Sequence, residues 1–152
     1  MVEIIKNIDY LRQKSLPVFS NDGPEDVARL LFDGLSQDYP GNLTALGLSA
    51  IQIGYPLRVI ALKDEPRPPI CLVNPIIAKA RGSQVSYETC LSLPGQRVKV
   101  TRAEIVKVRG FNQYMKSVTY TFRKFQARVA CHELDHLDGR LIIDYIVNKI
   151  GN

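Results

Sequence analysis

The chain has 152 residues, 45% apolar and 23% charged, which suits one domain with a single sizeable core and excludes bulk disorder. A net charge of +5, carried by scattered basic residues, argues for a solvated basic surface and against a specific nucleic-acid interface. No apolar run approaches a membrane span, and the three cysteines, Cys71, Cys90 and Cys131, form no scaffold pattern, so a reducing cytoplasm is the expected compartment.

The opening MVEIIKNIDYLRQK mixes charges among its apolar residues and lacks the continuous apolar region of a signal peptide. A helix is predicted to start at Asn21-Asp22-Gly23-Pro24, with Val27, Leu30, Leu31 and Leu35 at helical spacing and a stop near Tyr39-Pro40-Gly41. The small, glycine-punctuated ALGLSAIQIGYP follows. Strands are predicted at LRVIAL and ICLV, with KDEPRPPI as an exposed loop before the second. Between Val85 and Phe122, β-branched segments of alternating polarity predict further strands, the last two joined by a hairpin at NQYMK. From Phe125 and Val129 the spacing turns helical until Gly139, a good residue just past a helix end. The fold class is α+β: antiparallel β-sheets around a central C-terminal helix, in one domain spanning 1–152.

That helix contains HELDH, and His132 and His136 are the only histidines of the chain. Residues four apart on a helix project from one face, so the two imidazoles suit one divalent metal, with Glu133 beside it as a base. Two surface histidines on an amphipathic helix are the plainer alternative, and the concentration of both histidines in this pattern speaks against it. A catalytic site needs a third protein ligand and an open position. Downstream there is no histidine or glutamate, and the position expected for a third histidine is Ile142. Cysteine from upstream is therefore the best candidate. Cys131 points about 100° away from His132 on the helix, Cys71 sits in an apolar run, and polar flanks give Cys90 only a modest edge.

HELDHLDG, ETCLS and GLSAIQIG, in the chain order glycine-rich, cysteine, histidine, resemble the three motifs of peptide deformylases. LVNP and RAE resemble segments on either side of the cysteine motif, and the likeness runs from about Ser36 to Tyr145. It implies antiparallel sheets around a helix bearing the two histidines, and hydrolysis of the formyl group from the N-terminal formylmethionine of new polypeptides. It makes Cys90, His132 and His136 the ligands of one divalent metal per chain, typically Fe²⁺, with Zn²⁺, Ni²⁺ and Co²⁺ able to take its place. It makes Glu133 the group that takes a proton from the attacking water and delivers it to the leaving amine. The Gln52 side-chain amide and the Leu91 backbone N–H become the oxyanion donors.

Gly47 would line an edge where the substrate peptide pairs as an added strand, its missing side chain letting a backbone approach. Leu46, Phe125 and Val129 are candidates for the methionine pocket, with plain core packing as the alternative. Arg97 and Arg102 flank the strand after the cysteine motif, and one of them is expected to support the site by pairing with Glu88. The expected partners are formyl-Met nascent peptides, with a weak transient ribosome contact, no membrane, no specific nucleic acid, and a monomeric state.

Four positions depart from the family pattern. Ala45, Ser49 and Thr89 replace glycine, alanine and glycine, and Cys131 replaces a glutamine whose hydrogen bond is then missing or replaced. Thr89 adds bulk beside Cys90 and is expected to narrow the cleft. The chain also stops soon after LIIDYIV, without the long C-terminal helix by which some bacterial members dock on the ribosome. Two rival readings stand beside this one: an H-E-x-x-H metallopeptidase, which lacks its downstream ligand, and a non-catalytic RNA- or ribosome-binding module using the basic charge.

Overall fold

The computed structural model describes residues 1–146; the end of the expected 1–152 domain and of the LIIDYIV stretch lies outside the described residues. Period-2 alternation in one strand organises the architecture. In β2 (Val59–Asp64), Val59 and Ala61 face one side, and Ile60 and Leu62 the other. All four are fully buried, so this strand must be covered on both faces.

The first face is covered by α2 (Pro24–Ser36), which packs Val27, Ala28, Leu31 and Leu35 against Val59, Ala61, Cys71 and Val73. Pro24 occupies the first position of this helix after Gly23, whose φ of 69° suits glycine. The helix ends at Ser36, before the stop read from Tyr39-Pro40-Gly41. The second face is covered by α3 (Lys124–Leu137), whose Ala127, Ala130, Cys131, Leu134 and Leu137 meet Ile60, Leu62, Leu72, Val108 and Phe122. A short α1 (Ile8–Leu11), capped by the Asn7 side chain, buries Leu11.

Five strands form the main sheet in the order β1-β2-β3-β6-β7, with every neighbour antiparallel. They are β1 (Gly47–Ser49), β2, β3 (Arg67–Arg81), β6 (Ile105–Phe111) and β7 (Ser117–Arg123). A separate two-stranded sheet joins β4 (Gln84–Glu88) to β5 (Val98–Arg102). Its apolar face, with Val98 and Val100, packs on Leu11, Ile51, Leu93, Leu141 and Ile142. The helix with both histidines thus lies between the main sheet and the smaller one.

Two expectations are corrected. KDEPRPPI is not a loop: β2 runs to Asp64 and β3 starts at Arg67, leaving only Glu65 and Pro66 between them. Pro68 and Pro69 are tolerated because they sit at a register shift, where β3 has no partner on its β6 side. Nor does the strand at ICLV stop at Val73. It continues past Asn74 and Pro75 through a second irregularity, because β6 pairs with its far half. Asn74, at φ 50°, uses its side chain there to accept from the Val18 N–H at 2.8 Å and donate to the Val18 carbonyl at 2.9 Å.

α3 ends at Leu137, and Gly139, two residues on, turns the chain with φ 72°. A Cβ at that position would overlap the carbonyl oxygen of Arg12, a backbone atom that cannot swing away. Gly139→Ala is expected to cost about 2–4 kcal/mol, from the left-handed conformation plus the overlap, read as a lowered midpoint in urea unfolding.

Candidate active site

Three sulfur and nitrogen atoms from two elements converge under the cleft. α3 supplies His132 and His136, and the loop after β4 supplies Cys90. One ligand atom from each lies within 4.8 Å of the others, with Cys90 Sγ 3.5 Å from His136 Nε2. Cys131 is turned to the sheet core and Cys71 to α2; burial pushes their thiols up to about 11 and about 12. Both are therefore held as neutral thiols, and elimination by geometry leaves Cys90.

The donor set suits a divalent cation. Burial would lower the His132 imidazole, but Glu133, Cys90 and Glu88 hold it well above its ordinary value. Burial, with the charges of His132 and Arg102, pushes His136 down to about 3, so it stays in the neutral form that ligates. Thiolate and imidazole together suit Fe²⁺, Zn²⁺, Ni²⁺ or Co²⁺.

The ligands are held from behind. His132 Nδ1 lies 2.9 Å from Glu88 Oε1, which fixes the ring and turns Nε2 toward the cluster. Arg102 grips both oxygens of Glu88, at 2.9 and 2.8 Å, and also donates to Asp135 at 2.6 Å and to the Tyr145 hydroxyl at 3.0 Å. Burial alone would raise the Glu88 carboxyl; the hydrogen bonds from Arg102 and His132 hold it at about 2. Of the two arginines, Arg102 is the one that pairs with Glu88, whereas Arg97 lies over the Tyr87 ring, 4.0 Å from its centre.

Glu133 is buried beside the cluster, and burial pushes its carboxyl up to about 7 against the pull of His132 and Ser49. The Ser49 hydroxyl lies 2.8 Å from the Glu133 carbonyl oxygen and 3.2 Å from Glu133 Oε1. Sequence reasoning noted Ser49 only as a departure; its contact with the candidate base comes from β1 meeting α3. Gln52 accepts from the Ser49 N–H at 3.0 Å, donates to Ser92 Oγ at 3.1 Å, and places its amide nitrogen 3.6 Å from Cys90 Sγ. Among the described residues the Leu91 N–H donates to no acceptor.

These groups open on a cleft of about 980 Å³, lined by Leu46, Gly47, Thr89, Phe125 and Val129 among others. Leu46 is 44% and Phe125 51% exposed, which sets both apart from core packing, whereas Val129 leans partly on the core under α3. A Cβ at Gly47 would come within 2.9 Å of side-chain atoms of Val129 and Glu133, so the missing side chain also gives α3 its room beside β1. Among the described residues β1 pairs only with β2, which leaves its other edge unpaired along the cleft. Thr89 is exposed on the lining, and Cys131 sits in apolar packing, so no hydrogen bond like a glutamine's is made from that position.

Arg102→Met would leave Glu88 and Asp135 buried without their cation, an expected loss of about 3–5 kcal/mol at pH 7. Glu88 sits at about 2 when folded against an ordinary 4.5, so in the wild type its contribution is complete above 4.5 and fades as pH falls toward 2. In the variant burial raises that carboxyl, so the deficit in urea unfolding should shrink as pH is lowered toward 4.5.

The geometry agrees with comparisons to known proteins. The family model for polypeptide deformylase matches residues 2–150. A peptide deformylase from Alkaliphilus metalliredigens is 41% identical over 139 residues, covering 91% of both chains. One from Rickettsia prowazekii is 36% identical over 148 residues, covering 91% of this chain and 82% of the relative. The crystal structure of peptide deformylase from Thermotoga maritima superposes with a TM-score of 0.85 at 30% identity, covering 97% of this chain and 99% of that one. A Met-Ala-Ser-bound peptide deformylase from Acinetobacter baumannii gives a TM-score of 0.83 at 29% identity, covering 95% and 98%. On the match of the family model over nearly the whole chain and the identity to these relatives, this chain belongs to the polypeptide deformylase family.

Proposed function

We propose that the protein hydrolyses the formyl group from the N-terminal formylmethionine of new polypeptides and releases formate, acting as one catalytic domain. The observation that carries this is the meeting, in one cleft, of a Cys–His–His cluster and a buried carboxyl poised near neutrality.

A divalent ion held by Cys90, His132 and His136, Fe²⁺ in the native protein, would supply the Lewis acidity that brings water's pKa toward neutrality. Glu133, at about 7, is suited both to accept the water's proton and to return it to the departing amine. The Leu91 N–H is unspent, and the Gln52 amide, held at its oxygen by Ser49 and giving one hydrogen to Ser92, can turn its other hydrogen from Cys90 to the oxygen on which charge develops in the formyl carbonyl. The open edge of β1 can pair with the peptide backbone and fix its register, while Leu46, Phe125 and Val129 receive the methionine side chain.

The rival readings lose ground on the same geometry. The third ligand, the one sulfur of the cluster, comes from an upstream loop, and the basic residues gather on no single segment. The working protein is proposed to be a cytoplasmic monomer with only weak, transient ribosome contact.

Protein loaded with Fe²⁺ or Ni²⁺ should release formate from a formyl-Met peptide, and absence of formate under both metals would sink the reading. Glu133→Gln should keep fold and metal while kcat falls at least about a hundredfold. Metal analysis should find one ion per chain, lost in Cys90→Ser and His136→Ala and kept in Cys71→Ser. Thr89→Gly should lower KM for bulkier formyl peptides with little change in kcat, read from kinetics on a short peptide panel.

A further inference from the structure

One wall of the cleft, built from the end of β4, the loop leading to β5 and the start of α3, carries two arginines that no carboxylate answers. Both lean on Tyr87. The Arg97 guanidinium sits 4.0 Å from the centre of its ring, and Arg128 donates to its backbone carbonyl at 3.3 Å. Arg128 also lies 5.0 Å from the centre of the Phe125 ring. All four residues line the cleft, and neither arginine forms an ion pair among the described residues. The Nε of Arg128 is buried without a hydrogen-bond partner, and so is the hydroxyl of Ser86, just before Tyr87.

The covered Nε is out of a ligand's reach, so an acceptor entering the cleft would meet the terminal N–H groups of Arg128 that the Tyr87 carbonyl does not use. The acids on this wall are already engaged: Glu88 with Arg102 and His132, Glu133 with Ser49. Glu3 and Asp38 belong to other segments of the lining, the N-terminal stretch and the residues after α2. A guanidinium resting on an aromatic face keeps its edge N–H groups free for a carboxylate in its plane. Arg128 follows Phe125 by three residues and directly precedes Val129, which sets its charge next to the apolar pocket assigned to methionine.

We propose that Arg128, with Arg97, selects formyl peptides that carry a carboxylate side chain in the first residues after the methionine. This rests on the cleft being the formyl-peptide site.

The test compares isosteric peptides, formyl-Met-Glu-Ser against formyl-Met-Gln-Ser and formyl-Met-Ala-Glu amide against formyl-Met-Ala-Gln amide. Binding is measured calorimetrically on metal-loaded Glu133→Gln protein, and formate release is measured in parallel on the wild type. In at least one pair the Glu peptide should bind about five- to tenfold more tightly at low salt, with the advantage shrinking at about 0.5 M salt. Added to the Glu133→Gln protein, Arg128→Gln should bring that ratio close to one, and Arg128→Lys should restore part of it. Should Arg128→Gln fail to fold, Arg97→Gln and the salt dependence read the same charge effect. Equal affinities within both pairs, or a Glu preference that survives Arg128→Gln, would overturn the proposal. A Glu preference without formate release would support the carboxylate-selecting wall and overturn the hydrolase reading alone, whereas formate release with equal affinities would do the reverse.

Discussion

Three otherwise separate parts of the molecule close on one buried cation, Arg102. It projects from the end of β5, grips Glu88 at the end of β4, and reaches Asp135 on α3 and Tyr145 in the C-terminal turn. Each of those partners answers to something else. Glu88 orients His132, and the Tyr145 hydroxyl donates to Asp135 at 2.6 Å. A buried charge of this kind contributes little net stability compared with an apolar replacement of the whole group, but it is intolerant of losing one partner. Its value is positional: the cysteine loop follows directly from Glu88, so the same ion pair that holds the two-stranded sheet to the helix sets the distance from Cys90 to His136.

The second constraint is steric and comes from the other side of α3. β1 must lie close enough for Ser49 and Gln52 to reach Glu133 and Cys90, and only a residue without a side chain permits that approach at Gly47. The same closeness dries the Glu133 carboxyl and lifts it to about 7. Packing and acid–base chemistry are thus one arrangement. The backbone spacing that excludes a Cβ at residue 47 also excludes the water that would otherwise keep this carboxyl fully ionised.

Local periodicity made much of this visible in the sequence. The alternation of β5 and β6, the apolar spacing of α2 and the two histidines four apart all express contacts between near neighbours in the chain. What resisted was set by distant pairing. The third ligand lies 42 residues before His132 (132 − 90), and nothing in the flanks of Cys71 announces that it faces α2. The prolines of KDEPRPPI read as a loop because their missing N–H groups are harmless only where β3 lacks a neighbour, a fact of sheet order. Arg97 and Arg102 looked equivalent beside the strand they flank. The register of β4 on β5, which sets Gln84 against Arg102 and Glu88 against Val98, and the approach of α3 decide which of them turns inward. Peptide deformylase motifs supplied roles for Gln52 and Leu91 that composition could not, and they were silent on Ser49, whose contact with Glu133 depends on how β1 meets the helix.

The four departures from the family pattern fall into places with different tolerance. Cys131 points into apolar packing beneath the helix, where a small thiol fits without needing a partner. Ala45 is buried next to β1, and its one extra methyl is accommodated in the packing against α2. Ser49 replaces an apolar methyl with a hydroxyl, and it finds acceptors at once in Glu133, so no buried polar group is orphaned. Thr89 is exposed on the lining and touches none of the hydrogen bonds that set the ligands. The interlocked parts, Glu88 with Arg102 and His132 and Gln52 with Ser92, cannot change singly without leaving a buried group unpaired. The wall bearing Tyr87, Thr89 and Arg128 has no such interlock, so substrate preference can drift there while the machinery beneath it stays fixed.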